Sequence, residues 1–145
     1  MNIGSAGITL IKDFEKLELV AYMPTPDDVP TIGYGHTKGV KLGDTCTEEQ
    51  AEAWLLEDLS DAQTCVNKRI AGINITQNQF DAAVSLCFNI GCLAFSGSTV
   101  LRKLLDGDDS GAAEAFSMWV KQGHKTLAGL VRRRQAEADL FRSAA

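Results

Sequence analysis

Apolar residues recur every three or four positions along much of the chain, and this spacing indicates helices. The first such segment begins near Ser5, a residue type that caps helices, and ends close to Glu15. A longer segment follows the capping-box sequence at Thr47–Gln50 and continues to about Arg69. It predicts one long helix, ended by Gly72, whose apolar stripe is Ala51, Leu55, Leu59, Ala62, Val66 and Ile70.

The second half of the chain predicts further helices, each bounded by a capping residue or a glycine. A capping-box sequence at Thr76–Gln79 starts one that stops near Gly91. We expect another from Ser98 to Gly107 and one from Ser110 to Gly123. The apolar residues of the last helix are Leu127, Leu130, Val131, Ala138 and Phe141.

Between the first helix and the long helix, the pattern changes to that of a β hairpin. A short β-forming run at Leu19–Tyr22 precedes the turn residues of 24–28, and a second run ends at Thr31–Thr37. Pro30 cannot donate a ladder hydrogen bond, so we expect it at an edge or unpaired. The fold class is therefore α+β, mostly helical with a small hairpin lobe. The predicted divisions are 1–46, 47–70 as the connecting helix, and 71–145 as a helical lobe.

Length and composition are those of a soluble globular protein: 145 residues, 45% hydrophobic and 23% charged. No run approaches the roughly 20 apolar residues of a membrane span, and no secretory signal is visible. Cys46, Cys65, Cys87 and Cys92 lack zinc-type spacing, so we expect reduced structural cysteines and no metal site.

The net charge of −5 is unevenly distributed along the sequence. From Trp119 onward, six basic residues face only two acidic ones, and the rest of the chain is strongly acidic. The basic end either meets an anionic wall or membrane surface, or forms a solvated helix face. No aromatic–basic interleaving or known motif indicates nucleic-acid binding.

The hairpin region resembles the catalytic region of the phage-type lysozymes, the endolysins that cut bacterial peptidoglycan. The matching residues there are Glu15, Ala21–Tyr22 and Thr31–Thr37. One departure is that Pro24 stands where the family has an aspartate, and this chain has one more residue between the tyrosine and the threonine. Beyond the hairpin, the resemblance continues at 77–82, 88–91, 95–99 and 132–134.

The resemblance implies cleavage of the glycosidic bond between N-acetylmuramic acid and N-acetylglucosamine. Glu15 matches the family's general acid, and the negative end of the helix dipole disfavours a carboxylate there, which suits a proton donor. Thr31 would help to position water or the second carboxylate. For that carboxylate, Asp27 shares the face of Thr31 if the strand begins early, whereas a turn at Asp27–Asp28 would reverse the choice. Alternatively, both aspartates are turn residues only and have no catalytic role.

The resemblance also implies a set of substrate-binding residues on both halves of the chain. His36 is expected to brace the hairpin, held by a carboxylate or a carbonyl. Phe88 could equally be plain core. The substrate-binding candidates are Gly35, Thr37, Phe88, Asn89 and Ser98.

Two other functions remain open from the sequence. A lytic transglycosylase needs only one acid/base glutamate, and a non-catalytic wall-binding module needs none. For the hydrolase, we expect a monomer that binds peptidoglycan glycan strands, uses no cofactor and binds no nucleic acid. It would stay in the host cytoplasm until a holin-type membrane partner releases it to the cell wall in the periplasm.

Overall fold

The computed structural model describes residues 1–143 and contains mostly helix with two short hairpins, which confirms the α+β prediction. The helices are α1 (Ser5–Glu15), α2 (Glu48–Arg69), α3 (Gln77–Ile90), α4 (Cys92–Ser96), α5 (Thr99–Leu105), α6 (Asp109–Ala115) and α7 (Ala128–Arg142). The strands form two antiparallel pairs, β1 (Glu18–Tyr22) with β2 (Thr31–Gly33) and β3 (Lys121–Gln122) with β4 (Lys125–Thr126).

These elements group into two compact units. One comprises Met1–Leu10 and the chain from Ala62 onward, and the other comprises Ile11–Asp61. The boundaries between the units therefore fall within the sequences of α1 and α2. The division into 1–46, 47–70 and 71–145 stays a prediction.

The unit Ile11–Asp61 holds the first hairpin and the amino-terminal half of α2. Glu18 pairs with Gly33 and Tyr22 with Thr31, and the register shifts between these pairs. Pro30 precedes β2 and lies outside the ladder, as its missing N–H requires. The long helix begins at the predicted capping box, since Thr47 and Gln50 exchange side-chain-to-backbone hydrogen bonds of 2.9 and 3.2 Å. Its predicted apolar stripe is buried throughout.

The other unit is centred on α3, which packs mainly against α7. The predicted capping box at Thr76 and Gln79 starts α3. Asp81 of α3 accepts hydrogen bonds from the Gly4 and Gly7 N–H groups at 2.9 and 3.1 Å, so this buried carboxylate caps α1. The prediction that Ser5 caps α1 was wrong, because Ser5 is already helical. A carboxylate more than seventy residues away gives no local capping signal.

The predicted helix from Ser110 to Gly123 was also wrong in extent. Helix α6 ends at Ala115, a 3-10 turn covers Phe116–Met118, and β3 and β4 follow. Gly123 has φ +63° and lies in the turn between these strands, a left-handed conformation that glycine adopts readily. Strands of two residues are too short to produce an alternating pattern in the sequence. Helix α4 was likewise not predicted.

The prediction that all four cysteines are reduced was wrong. Cys65 of α2 and Cys92 at the start of α4 form a disulfide. Their Cα atoms are 5.9 Å apart, and their sequence separation is 27. Cys46 and Cys87 are free, and burial raises the pKa of the Cys87 thiol to about 11. Sequence spacing alone cannot reveal a pairing that depends on how α3 returns the chain to α2.

Only some of the basic residues near the carboxy-terminal end are exposed at the surface. Lys121, Lys125 and Arg132 are exposed, but Arg133 and Arg134 are buried at 4% and 1% exposure. Neither reading of this end, as a wall-binding surface or as a solvated helix face, fits those two arginines. Among residues 1–143, no helix has the length and apolar character needed to cross a membrane.

Candidate active site

Glu15 is the last residue of α1, and its side chain is half-buried. The helix ends there because Lys16 adopts the left-handed conformation, with φ 57°, while its N–H donates to the Lys12 carbonyl at 2.9 Å. A non-glycine residue in this conformation costs about 1 kcal/mol. This conformation of Lys16 leaves Glu15 as the last residue of α1.

A tight turn of Gly33, Tyr34 and Gly35 lies against that carboxyl. Ile32 and His36 close the turn by two backbone hydrogen bonds of 2.9 Å each. Gly33 and Gly35 have φ +67° and +80°, which favour glycine at both positions. A Cβ atom added to Gly35 would lie 2.6 Å from Glu15 Oε2, so the absence of a side chain makes room for the carboxyl.

Gly35→Ala should reduce peptidoglycan turnover by roughly three- to tenfold, because the new methyl group displaces the Glu15 carboxyl. It should also lower the free energy of unfolding by about 1–2 kcal/mol through backbone strain. Turnover of purified peptidoglycan and thermal unfolding measure the two effects. Gly39→Ala is a matched control, since Gly39 has φ +71° but open space around it. Equal turnover losses in the two variants would contradict a contact between Gly35 and Glu15.

His36 braces this turn, as expected from the sequence. It is 6% exposed, its Nδ1 lies 2.8 Å from Asp58 Oδ2, and its ring stacks on Trp54 with centroids 4.7 Å apart. Asp58 and Trp54 both belong to α2. The turn is thereby attached to the long helix, although neither helical partner could be named from the sequence.

A second attachment joins the same turn to α1. Lys12 forms an ion pair with Glu52 of α2, and its Nζ lies 5.5 Å from the centroid of the buried Tyr34 ring. The hydrogen bond to Glu52 raises the pKa of Lys12. Lys12 lies one helical turn before Glu15, so this cluster fixes the last turn of α1 against the glycine turn.

Thr31, the first residue of β2, is 5% exposed, and its hydroxyl donates to the Val29 carbonyl at 3.0 Å. The argument for Asp27 required the strand to begin early, but β2 begins only at Thr31. Instead, the Asp28 N–H donates to the Thr25 carbonyl at 3.1 Å, which closes a turn around Asp27. This turn removes the reason for preferring Asp27.

Tyr22, the last residue of β1, lies near several acidic residues. Burial raises the pKa of the Tyr22 hydroxyl, and the charges of Glu18, Glu15 and Asp28 raise it further. The carboxylates of Glu15 and Asp28 therefore lie within electrostatic reach of the same phenol.

The other unit carries the remaining candidates. Phe88 is half-buried, and Asn89 is exposed at the end of α3. Asn89 borders a cavity of about 460 Å³ whose other lining residues include Trp119, Lys121, Gln122, Leu127 and Arg134. Ser98 is buried at 4% exposure, and its hydroxyl caps α5 while donating to the Phe95 carbonyl at 2.7 Å.

The structure thus brings the catalytic candidates and Gly35 into one unit, with an exposed Thr37 just after the glycine turn: Glu15, Asp27, Asp28, Thr31 and Gly35. Phe88, Asn89 and Ser98 belong to the other unit. Within the described chain, no cluster of three or more histidine, cysteine or acidic side chains could hold a metal ion.

Comparison with known proteins identifies the family of this chain. The sequence model of the family described as Phage lysozyme matches residues 12–137, and the chain belongs to this family. An endolysin from Acyrthosiphon pisum secondary endosymbiont phage 1 is 48% identical over 148 residues, covering 99% of this chain and 100% of that protein.

Solved structures agree with this assignment. The muramidase domain of SpmX from Asticaccaulis excentricus has a TM-score of 0.91 at 42% identity, with 99% of both chains covered. A P22 lysozyme mutant has a TM-score of 0.87 at 41% identity, also with 99% of both chains covered.

These similarities confirm the lysozyme-like fold and the enzyme class inferred from the hairpin sequence. The chain is a phage-type peptidoglycan hydrolase that cleaves between N-acetylmuramic acid and N-acetylglucosamine in host cell lysis. Neither the lytic transglycosylase nor the non-catalytic wall-binding module is favoured.

Proposed function

We propose that Glu15 is the general acid of this muramidase and that Asp28 supplies the second carboxylate. The position of Glu15 at the end of α1, with its carboxyl against the Gly35 backbone, carries the proposal. Glu15 protonates the glycosidic oxygen as the bond to the anomeric carbon breaks. The sugar ring then develops oxocarbenium character, which a nearby carboxylate stabilises.

Asp28 suits this second role because it closes the turn at 25–28, three residues before the buried Thr31 that begins β2. One of its oxygens, Oδ1, accepts the Val29 N–H at 2.8 Å, which restrains the side chain at the end of the turn. Asp28 would stabilise the positive charge at the anomeric carbon or direct the attacking water. Thr31 assists, since its hydroxyl donates to Val29 and keeps lone pairs that can accept a hydrogen bond from that water.

Substrate binding is proposed for residues of both units. Gly35 presents backbone beside the acid, and Thr37 is exposed next to the glycine turn. Asn89 offers an exposed amide and Phe88 a half-buried ring at the end of α3. Ser98 acts indirectly, because its hydroxyl is engaged in capping α5 and fixes the start of that helix.

The cell wall is the place of action of endolysins, and peptidoglycan glycan strands are the partner of this chain. We further propose that the protein acts as a monomer. In this proposal it is held in the host cytoplasm until a holin-type membrane partner gives it access to the periplasm. The similarity to phage endolysins supports action at the cell wall.

Digestion of purified peptidoglycan in water enriched in heavy oxygen tests the reaction type. We expect every new reducing end to carry one solvent oxygen, because hydrolysis transfers water to the anomeric carbon. Mass spectrometry of the released muropeptides reads the label. Anhydro sugars without solvent oxygen would refute hydrolysis and indicate attack by the substrate's own hydroxyl.

A further inference from the structure

Arg134 of α7 is one of the largest fully buried side chains in the described structure. Its Nε lies 2.7 Å from Glu137 Oε1, and its Nη2 lies 3.2 Å from Glu137 Oε2. Glu137 also receives Arg133 Nε at 3.3 Å and a hydrogen bond from the Ser85 hydroxyl. Burial raises the pKa of Glu137, and the two guanidinium groups oppose that rise.

The other N–H groups of Arg134 donate to residues that line the cavity beside Asn89. Nη2 donates to Asn89 Oδ1 at 2.9 Å, and Nη1 donates to the Trp119 carbonyl at 3.3 Å. Asn89 is the penultimate residue of α3, whereas Trp119 lies between the 3-10 turn and β3. Both residues line the cavity of about 460 Å³, so one buried side chain joins two segments of its wall.

This arrangement also sets the orientation of the Asn89 amide. Because Oδ1 accepts from Arg134, the Nδ2 group is the part of the amide left to donate to a ligand. An exposed asparagine without such a partner would sample several rotamers, and ordering them on binding would weaken affinity. The planar guanidinium can hold Glu137, Asn89 and Trp119 together, whereas a lysine ammonium is a single point charge.

We propose that Arg134 is a positioning residue for substrate binding, acting through Asn89 and the Trp119 backbone. It directs the Asn89 N–H donors toward an acceptor oxygen of the substrate, such as the carbonyl of an N-acetyl group. The inference rests on the proposed substrate-binding role of Asn89.

Arg134→Lys tests the proposal because it keeps a positive charge beside Glu137 but loses the planar guanidinium, whose N–H groups reach Asn89 and Trp119. We expect KM for solubilised glycan strands to rise about five- to tenfold, with kcat within about twofold of the parent, since ground-state binding is affected. Arg102→Lys, at an exposed arginine of α5, is the matched control and should leave both constants unchanged. An unchanged KM in a folded Arg134→Lys protein would overturn the proposal.

A double-mutant cycle separates positioning from general stabilisation. Asn89→Ala should raise KM to a similar extent, and adding Arg134→Lys to it should change KM by less than about twofold. Additive effects would show that Arg134 does not act through Asn89. If Asn89→Ala leaves KM unchanged, then the substrate-binding role of Asn89 fails first, and the positioning role with it.

Asn89→Asp provides a test that does not depend on how well an Arg134 variant folds. The carboxylate still accepts from Arg134, so thermal unfolding should be close to that of the parent, but the N–H donors are lost. KM should rise as in Asn89→Ala. A parent-like KM would overturn the proposed donor role of Asn89 and the positioning inference together.

Discussion

Glu15→Gln should reduce lysis of purified peptidoglycan by about 10²–10⁴-fold, the range typical of losing a general acid. Glutamine has nearly the shape of glutamic acid and can occupy the space beside Gly35, but its amide is not an acid that can protonate the leaving oxygen. The leaving sugar oxygen would then depart without protonation. Substrate binding should change little, because the side-chain volume is almost conserved.

The measurement is turnover of purified peptidoglycan together with a binding assay and thermal unfolding. Glu18→Gln is a matched control, since Glu18 is an exposed glutamate of β1 whose charge also acts on Tyr22. Its turnover should stay within about twofold of the parent, as expected for a surface substitution. Near-normal lysis by a folded Glu15→Gln protein would remove Glu15 from the acid role.

The features that the sequence predicted best are those encoded by neighbouring residues. The long helix α2 follows a capping box at Thr47 and Gln50, and its apolar stripe repeats at helical spacing. The start of α3 is similarly local, because Thr76 and Gln79 form the predicted capping box. Each signal lies within a few residues, so no knowledge of tertiary structure was needed.

The features that were missed depend on contacts between distant residues. Asp81 caps α1, Cys92 bonds to Cys65, and Trp54 stacks on His36, each across a long sequence separation. The buried arginines are a further case. A run of three arginines normally indicates a solvated face, but a buried carboxylate three or four residues on can accommodate two of them.

The active-site prediction also has a part that local sequence encodes and a part that depends on the three-dimensional structure. Glu15 is recognisable from local sequence, and the structure places its carboxyl against Gly35. The second hairpin run was predicted to reach Thr37, but β2 ends at Gly33 and the glycine turn follows. The choice between Asp27 and Asp28 depended on where β2 begins, which the sequence around Pro30 leaves open. Since β2 starts at Thr31, both aspartates precede the strand: Asp28 closes the turn at 25–28, and Asp27 lies within it.

Asp28→Asn should therefore reduce turnover by at least about tenfold, equivalent to roughly 1.4 kcal/mol of transition-state stabilisation, whereas Asp27→Asn should stay within about twofold. The physical reason is that a neutral amide cannot stabilise positive charge at the anomeric carbon as a carboxylate does. Folding should be preserved in both variants. In Asp28→Asn, the amide oxygen of the new side chain can still accept the Val29 N–H, and exposed turn substitutions usually change stability by less than about 0.5 kcal/mol.

Both single variants and the double variant should be assayed for turnover, with thermal unfolding and product masses recorded. A larger loss for Asp27→Asn than for Asp28→Asn would reverse the assignment and imply that the hairpin turn rearranges when substrate binds. If the double variant stays fully active and still releases products that carry solvent oxygen, neither aspartate is the second catalytic group. Thr31, Thr25 or a backbone group would then position the attacking water, with Glu15 as the only essential carboxyl.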